Sequence, residues 1–257
     1  MTERLDARRP ADIDRAVELL RRGAIVAFPT ETVYGLGASG LDPAAVERIF
    51  AAKQRPSDNP LILHVLDLAA ARPLWLASER ERARADACAE RFWPGPLTLV
   101  LPKSSCVPPV VTAGLASVGV RAPAHPVARA ILARLGGPVA APSANASGRP
   151  SPTCAEHVLA TLSGRIDAVV DGGPTEVGIE STVVDLTGTP TVLRPGSISH
   201  EELSDALGER VAPFAADRPA RAAPGLRHRH YAPAVDRIEV RDHGDIDDEW
   251  SGTAALL

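Results

Sequence analysis

Short apolar runs alternate with amphipathic segments along most of the chain. The apolar runs have the length and the Pro or Gly boundaries of buried strands, and they cover residues 24–28, 61–65, 97–101, 139–141, 167–171, 183–186 and 191–194. The segments with helical spacing cover residues 12–22, 42–52, 78–92, 126–135 and 199–207. Strands alternate with helices early and cluster late. This pattern predicts an α/β fold with a mixed twisted sheet flanked by helices.

Residues at the helix ends support these boundaries. Asp12 is predicted as the N-cap of the first helix, and Gly23 ends that helix. Asp42 and Pro43 form a favourable N-cap and first-turn pair for the second helix. Thr153 is predicted to cap a further helix that follows a Ser- and Pro-rich segment.

A change in composition near residue 212 divides the chain. Residues 1–211 carry the long periodic elements and predict one domain. Residues 212–234 begin with an Ala-, Pro- and Arg-rich stretch that has no apolar period, which is typical of a linker. Residues 235–257 contain one short strand-like run and are too few for an independent core, so we predict a short C-terminal remnant.

The composition is that of an ordinary globular protein. Of 257 residues, 45% are hydrophobic and 23% are charged, and the net charge of −4 gives no global sign of nucleic-acid or membrane-surface binding. The three cysteines have no paired spacing, so neither a disulfide framework nor a zinc site is predicted. No apolar run approaches the length of a membrane span. We predict a cytoplasmic protein without membrane contact.

The polar segment 29–37 directly follows the first predicted strand. It carries hydroxyls, a carboxylate and spaced glycines at the edge of a packed element, where binding sites are often built; a plain surface loop is the alternative. Its glycines begin a formal G-x-G-x-x-G match. A dinucleotide-binding turn is not predicted, because Pro29 to Tyr34 separate the match from the strand and the next helix starts only at Asp42.

Further polar residues lie at the ends of other predicted elements. Lys53 and Arg55 follow a helix, Arg121 ends a glycine-bearing loop and strand, and segment 142–153 carries hydroxyls, an amide and an arginine. Such groups bind carboxylates and phosphates, whereas a solvated helix end, a surface ion pair and a Ser/Pro linker are the respective alternatives. No convincing nucleophile–base pair is present, so the residues favour phosphoryl or nucleotidyl transfer.

Three histidines are candidate ligands by residue type. His64 lies inside a predicted strand, and from sequence alone we interpret it as a satisfied core histidine. His228 and His230 are two residues apart and have no acidic or Cys partner nearby, so no metal ligand is predicted.

Motifs spread over residues 12–207 resemble the YrdC/Sua5 family, the threonylcarbamoyl-AMP synthases of tRNA t6A modification. In chain order these motifs are Pro29-Thr30-Glu31-Thr32-Val33-Tyr34-Gly35-Leu36, Lys53-x-Arg55-Pro-x-x-Asn59-Pro60-Leu61, Trp93-Pro94-Gly95-Pro96-Leu97-Thr98, Val120-Arg121-x-Pro123, Pro142-Ser143-Ala144-Asn145-x-Ser147-Gly148, Glu180-Ser181-Thr182-Val183 and Arg194-Pro195-Gly196. The segment 224–233 resembles the linker motif of the longer Sua5 subfamily. Sua5 proteins continue into a further domain of about a hundred residues or more, an ordinary domain size, whereas only residues 235–257 follow here.

The resemblance implies a YrdC-like catalytic domain at residues 1–211 and a lid formed by the linker. It implies that L-threonine, bicarbonate and ATP react to give L-threonylcarbamoyl-adenylate and pyrophosphate, with Mg2+ screening the phosphates. The product would pass to a tRNA threonylcarbamoyl transferase for t6A37 formation. Closure of the lid would protect the labile adenylate from water.

The resemblance also implies roles for individual residues. The threonine contacts would be Thr32, His64, Arg121, Ala141 and Ser181, with Arg121 on the carboxylate and Ala141 contributing backbone. The ATP contacts would be Lys53, Arg55, Asn59, Ser117, Ser143, Ser151, Arg194 and Tyr231. The glycines of segment 29–37 would let the backbone turn away while Thr32 faces the amino acid.

Two other functions remain open on sequence alone. An enzyme of the same fold could make a carbamoyl-adenylate from carbamoyl phosphate. A double-stranded RNA or tRNA binding module is the second alternative, and the net charge of −4 argues against it.

Overall fold

Ten strands and eight α-helices form residues 1–214, the part of the chain that this computed structural model describes. The strands are β1 (Glu3–Asp6), β2 (Val26–Pro29), β3 (Tyr34–Ser39), β4 (Ile62–His64), β5 (Leu97–Pro102), β6 (Ser117–Arg121), β7 (Val139–Ala140), β8 (Ala168–Asp171), β9 (Thr182–Asp185) and β10 (Thr191–Arg194). The helices are α1 (Pro10–Arg21), α2 (Pro43–Lys53), α3 (Leu68–Ala71), α4 (Glu79–Phe92), α5 (Pro109–Thr112), α6 (Pro126–Leu135), α7 (Ala155–Leu162) and α8 (His200–Leu207). A 3₁₀ turn at Arg72–Leu74 follows α3.

The strands form one sheet in the order β1-β8-β2-β3-β7-β4-β6-β5-β9-β10. The pairs β1/β8, β2/β8, β4/β6 and β5/β9 are parallel, and the remaining neighbours are antiparallel. This confirms the predicted mixed sheet flanked by helices. In the described part of the chain, no helix combines the length and the apolar character needed to cross a bilayer.

The two faces of the sheet are covered unequally. Alternate strand residues such as Leu36, Leu63 and Val120 point to one face, where they pack with α2, α4, α7 and α8 into the larger core. On the opposite face, α1 and α6 cover the half of the sheet that runs from β1 to β7. The small apolar cluster on the other half of this face consists of the strand residues Val100, Val183 and Leu193, without a helix residue. That half can therefore carry polar side chains at the strand positions that face away from the core.

Two predicted helix caps are wrong, and one strand was not predicted. The first helix begins at Pro10, and the Asp12 carboxylate instead accepts from the backbone N–H of Asp6 at 2.8 Å. Cys154, not Thr153, precedes α7, and no side chain caps that helix. Strand β1 was not predicted, because Leu5 is the only buried residue in it and an edge strand of this kind lacks an apolar run.

The glycines of segment 29–37 lie inside strand β3 instead of forming a turn, so the expectation that they turn the backbone is wrong. Neither Gly35 nor Gly37 has a positive φ. A Cβ at Gly37 would lie 2.6 Å from a ring carbon of Phe28 and 2.8 Å from a methyl carbon of Val139. The glycine is required because β2 and β7 side chains pack directly against the β3 backbone.

The predicted linker begins beside strand β10. Ala212 pairs in parallel with Thr191, and its backbone bonds to Pro190 and Val192 at 2.8 and 2.9 Å. The rest of the predicted linker, Tyr231 and the predicted C-terminal remnant 235–257 lie outside the described residues.

Candidate active site

A cleft lies on the uncovered half of the sheet face. Its lining residues are Thr30, Thr32, Val33, Gly35, Arg55, Ile62, His64, Arg121, Ala141, Pro142, Ser143, Glu180, Ser181 and Arg194. They come from separate stretches of sequence that the sheet brings together. All five residues predicted to contact threonine are among them, together with three of those predicted to contact ATP.

The turn between β2 and β3 presents Thr32 to the cleft. The Thr30 hydroxyl donates to the Val33 carbonyl at 2.7 Å, so it accepts from the Thr32 hydroxyl at 2.8 Å. The backbone carbonyls of Glu31 and Thr32 accept from Val177 and Gly178 at 2.9 and 3.0 Å. The turn is thus held from both sides, and the direction of the Thr32 hydroxyl is fixed.

Arg121, at the end of β6, is held on three sides. Its Nε donates to the Gly95 carbonyl at 3.1 Å, Nη1 to the Thr32 hydroxyl at 2.9 Å and Nη2 to the Glu31 carboxylate at 2.6 Å. Burial lowers the pKa of Arg121, and Glu31 opposes that change. A guanidinium has five N–H donors, so two remain for a ligand in the cleft.

Arg194, at the end of β10, forms a second ion pair in the cleft. Its Nη1 pairs closely with the Glu180 carboxylate, and Nε and Nη2 donate to the Ser181 carbonyl at 3.1 and 3.0 Å. The Ser181 hydroxyl receives a further bond from Nη2 at 3.0 Å and lies 2.9 Å from the Thr98 hydroxyl. Arg194 therefore fixes the backbone and the side chain of a predicted threonine contact.

The Ser- and Pro-rich loop 142–153 is part of the site and not an interdomain linker. Strand β3 holds it through three backbone bonds of 2.8 Å, from Leu36 to Pro142, from Ala144 to Tyr34 and from Tyr34 to Pro152. The Ser151 hydroxyl donates to Glu180 at 2.9 Å. Because these bonds cross between distant segments, the loop has a defined position beside the cleft.

Lys53 lies beneath this loop and does not line the cleft. Its buried ammonium donates to the Ser143 carbonyl at 2.5 Å and, over a shorter distance, to the Asn145 carbonyl. Burial, reinforced by the nearby Arg55, lowers the pKa of Lys53 to about 7. Lys53 therefore anchors the loop, whose other residues reach the cleft.

His64 is buried, as the core interpretation predicts, but it is not satisfied. It lies in β4 on the cleft face, and its Nδ1 has no hydrogen-bond partner among residues 1–214. Burial, with a further effect of Arg121, lowers the pKa of His64 to about 3, so the imidazole is neutral near neutral pH. The interpretation as a satisfied core histidine is wrong, because a neutral ring nitrogen is left for a ligand.

The remaining predicted nucleotide contacts lie at different distances from the cleft. Arg55 lines it and donates to the carbonyls of Asn59 and Pro60 at 3.1 and 2.9 Å, so fully buried Asn59 shapes the Arg55 position. Ser117 opens β6 and shares a face with Arg121, about 13 Å along the strand at a rise of about 3.3 Å per residue. Gly119 lies between them on the same face, where a Cβ would lie 3.1 Å from a methyl carbon of Thr98.

The described residues offer no ready-made metal cage. No group of three or more His, Cys, Asp or Glu side chains suitable for a metal ion occurs within residues 1–214. Among the lining residues, Glu180 alone carries a carboxylate, and Ser151 and Arg194 already engage it. Mg2+ commonly binds through substrate phosphates, one or two carboxylates and several waters. Of the lining residues, Glu180 alone could therefore offer a carboxylate to a magnesium ion carried by a nucleotide.

Sequence reasoning missed the two glutamates that pair with arginines of the cleft. Glu31 and Glu180 both lie in motifs that carried the family resemblance, but neither was given a role. Their arginine partners are 90 and 14 residues away in sequence. The signal that could have found them is the charge balance, since buried arginines need acidic partners.

Gly196 lies so close to the backbone of residues 180–182 that a larger residue does not fit there. A Cβ there would lie 2.4 Å from the backbone N of Thr182 and 2.7 Å from the carbonyl O of Glu180. We expect Gly196→Ala to lower the free energy of unfolding by about 1–3 kcal/mol, because the strand ends must separate. It should also weaken the binding of threonine and ATP. Calorimetry and urea unfolding measure both effects.

The control for this substitution is Gly137→Ala. A Cβ at Gly137 would have no atom within 4 Å, and this glycine has no positive φ, so the change should be close to neutral. Equal stability of the two variants would contradict the close approach at Gly196.

The sequence of this chain is also similar to the sequences of known proteins. A Sua5/YciO/YrdC family model, described as "Telomere recombination", matches residues 18–196. The Threonylcarbamoyl-AMP synthase of Pyrococcus abyssi is 50% identical over 234 residues, covering 90% of this chain and 68% of that protein. The Threonylcarbamoyl-AMP synthase of Bacillus subtilis is 47% identical over 239 residues, covering 91% of this chain and 68% of that protein.

A solved structure is similar over the same extent. The crystal structure of P. abyssi Sua5 complexed with L-threonine superposes with a TM-score of 0.82 at 48% identity, covering 91% of this chain and 69% of that chain. The chain therefore spans about two thirds of the length of these relatives.

Proposed function

Because this chain belongs to the Sua5/YciO/YrdC family, we propose that it forms L-threonylcarbamoyl-adenylate and pyrophosphate from L-threonine, bicarbonate and ATP. The observation that carries the proposal is the convergence of Thr32, His64, Arg121, Ala141 and Ser181 on one cleft. Relatives that are up to 50% identical are threonylcarbamoyl-AMP synthases, and the P. abyssi Sua5 structure is complexed with L-threonine.

On the amino-acid side, Arg121 binds the threonine carboxylate through the N–H donors that its protein partners leave. The bond between a guanidinium and a carboxylate is charge-assisted on both sides, so it is stronger than a neutral one. A ring nitrogen of the neutral His64 can accept a hydrogen bond from the amino acid. Its low pKa keeps it from adding a positive charge beside the threonine ammonium.

The chemistry requires two steps. The deprotonated threonine amine attacks the carbon of bicarbonate, or of CO2 derived from it, and forms a C–N bond. From bicarbonate, a C–O bond breaks and the hydroxide leaves as water with an amine proton; from CO2, the amine proton passes to solvent. A carbamate oxygen then attacks the α-phosphorus of ATP, and the bond to the β-phosphate oxygen breaks to release pyrophosphate. The cleft supplies orientation and charge stabilisation, which are the main sources of rate in such transfers.

On the nucleotide side, Arg55, Ser143 and Arg194 face the cleft, while Lys53, Asn59 and Ser151 hold those elements in place. Ser117 extends the nucleotide path along β6, and we propose that Tyr231 contacts the nucleotide as part of the lid. Mg2+ bound to the ATP phosphates would neutralise part of their charge.

The product is a mixed anhydride and reacts readily with water. We propose that a tRNA threonylcarbamoyl transferase consumes it for t6A37 synthesis, and we place the reaction in the cytoplasm, where tRNA is available. Closure of the lid over the cleft would limit hydrolysis before transfer.

The experiment is incubation of the full chain with ATP, Mg2+, bicarbonate and L-threonine, followed by mass detection of the adenylate and measurement of pyrophosphate. Both products should appear and should require threonine. Folded protein without product would refute the proposal. Exchange of pyrophosphate into ATP without threonine would instead indicate carbamoyl-adenylate chemistry. Salt-sensitive RNA binding without adenylate would indicate an RNA-binding module.

A further inference from the structure

We infer that Glu31 and Glu180 are positioning residues that assign two of the three arginines lining the cleft to different anions. Glu31 directs Arg121 to the amino-acid carboxylate, and Glu180 directs Arg194 to the nucleotide phosphates. This inference rests on the proposed function, because it names how the same cleft separates its two anionic substrates.

The pairing of Glu31 with Arg121 is almost completely buried. The side chains are 8% and 4% exposed, and the second Glu31 oxygen accepts from the backbone N–H of Ala124 at 3.0 Å. Glu31 therefore has a fixed position from which it holds one amino group of the guanidinium. Gly95 and Thr32 hold the other two sides, so the plane of Arg121 is set before a ligand binds.

Glu180 likewise holds Arg194 in place, and it also bonds to a residue of another segment. One of its oxygens pairs with Arg194 and the other accepts from Ser151. Ser151 belongs to the loop beside the cleft and was predicted as an ATP contact. Glu180 thus ties a loop and a strand that are both expected to meet the nucleotide.

The two arginines are close enough to influence each other. Burial and Glu31 have the largest effects on the pKa of Arg121, with Arg194 lowering and Glu180 raising it further. Without carboxylates, two neighbouring guanidiniums would attract the same anion, and phosphate would compete with the threonine carboxylate. Because each arginine is paired with its own carboxylate, its charge is balanced and its guanidinium keeps one orientation.

The test is a comparison of isosteric variants by pyrophosphate release and calorimetry. Glu31→Gln should raise the KM and Kd for threonine by about tenfold and leave those for ATP within about twofold, since one charge-assisted bond is weakened. Glu180→Gln should raise the KM and Kd for ATP by about tenfold and those for threonine by a smaller factor, since Arg194 also holds the threonine contact Ser181. Ser151→Ala should follow Glu180→Gln with a smaller change.

A matched control separates positioning from stability. Glu209→Gln removes the carboxylate that pairs with buried Arg84 at 2.6 Å, outside the lining residues of the cleft. This variant should lose stability without changing either KM. Equal changes for both substrates in Glu31→Gln and Glu180→Gln, or no change in either, would overturn the inference. Wild-type protein that binds both ligands but makes no adenylate would refute the proposed function and leave the calorimetric comparison decisive.

Discussion

Arg121→Met should lower the free energy of unfolding by about 3–5 kcal/mol, because it leaves the Glu31 carboxylate buried without its cation. The same change should reduce threonine binding by about tenfold to a hundredfold and ATP binding much less, since a charge-assisted bond to the carboxylate is lost. Urea unfolding and calorimetric titration with each substrate measure these effects separately. Equal losses for threonine and ATP would contradict the assignment of Arg121.

Two further variants show which part of the loss comes from the unpaired carboxylate. The double variant Glu31→Gln/Arg121→Met should recover much of the stability but none of the threonine binding. Arg48→Met is the surface control. Arg48 and Asp167 form a 2.9 Å pair with half-exposed side chains, which predicts a change below about 1 kcal/mol.

Lys53→Met should lower the free energy of unfolding by about 2–4 kcal/mol at about pH 8, because two buried carbonyls lose their donor. The loop that carries Ser143 and Ser151 loses its anchor, so ATP binding should weaken although Lys53 does not line the cleft. Lys103→Met is a suitable control, because Lys103 is the other lysine of the chain and makes a single 3.0 Å bond to Val107. Its effect should be smaller.

The pH dependence of the stability difference between wild type and Lys53→Met tests whether burial disfavours the charged form of Lys53. The pKa of Lys53 is lowered to about 7 in the fold, against about 10.4 in an unfolded chain. Between these values the unfolded chain binds more protons, so the contribution of Lys53 to stability rises with pH and falls as pH drops through 7. The stability difference between wild type and Lys53→Met should therefore grow toward high pH, by at most about 1.4 kcal/mol per pH unit. A constant difference would show that the ammonium is not penalised by burial.

The fold could be predicted from sequence where elements have a clear apolar period. The helix at 126–135 has the predicted boundaries, and so does the start of α2 at Asp42-Pro43. Strand β1 could not be predicted, because its pairing with β8 joins residues more than 160 positions apart and leaves no local pattern. Long-range pairing decides such strands, and a single sequence does not record it.

The sequence predicted which residues form the candidate site better than it predicted what each residue does there. Arg121 was expected at a carboxylate, and the family motifs brought the right side chains together. A single sequence does not show which acidic residue pairs with Arg121, or that Lys53 donates to a loop 90 residues away. Both facts depend on contacts between segments that are distant in sequence, and such contacts are a property of the whole topology.

The strand order has a consequence for how the chain is made. Within the described sheet, β1 pairs with β8 alone, and β2 meets β8 on one side. Strand β1 must therefore wait for residues near 170 to leave the ribosome before it can join the sheet, whereas β2 can first pair with β3. The cleft also needs Arg194 from β10, so it is completed after nearly all of the domain has been synthesised. Contacts of such long range are formed slowly, and the nascent chain exposes unpaired strands until then.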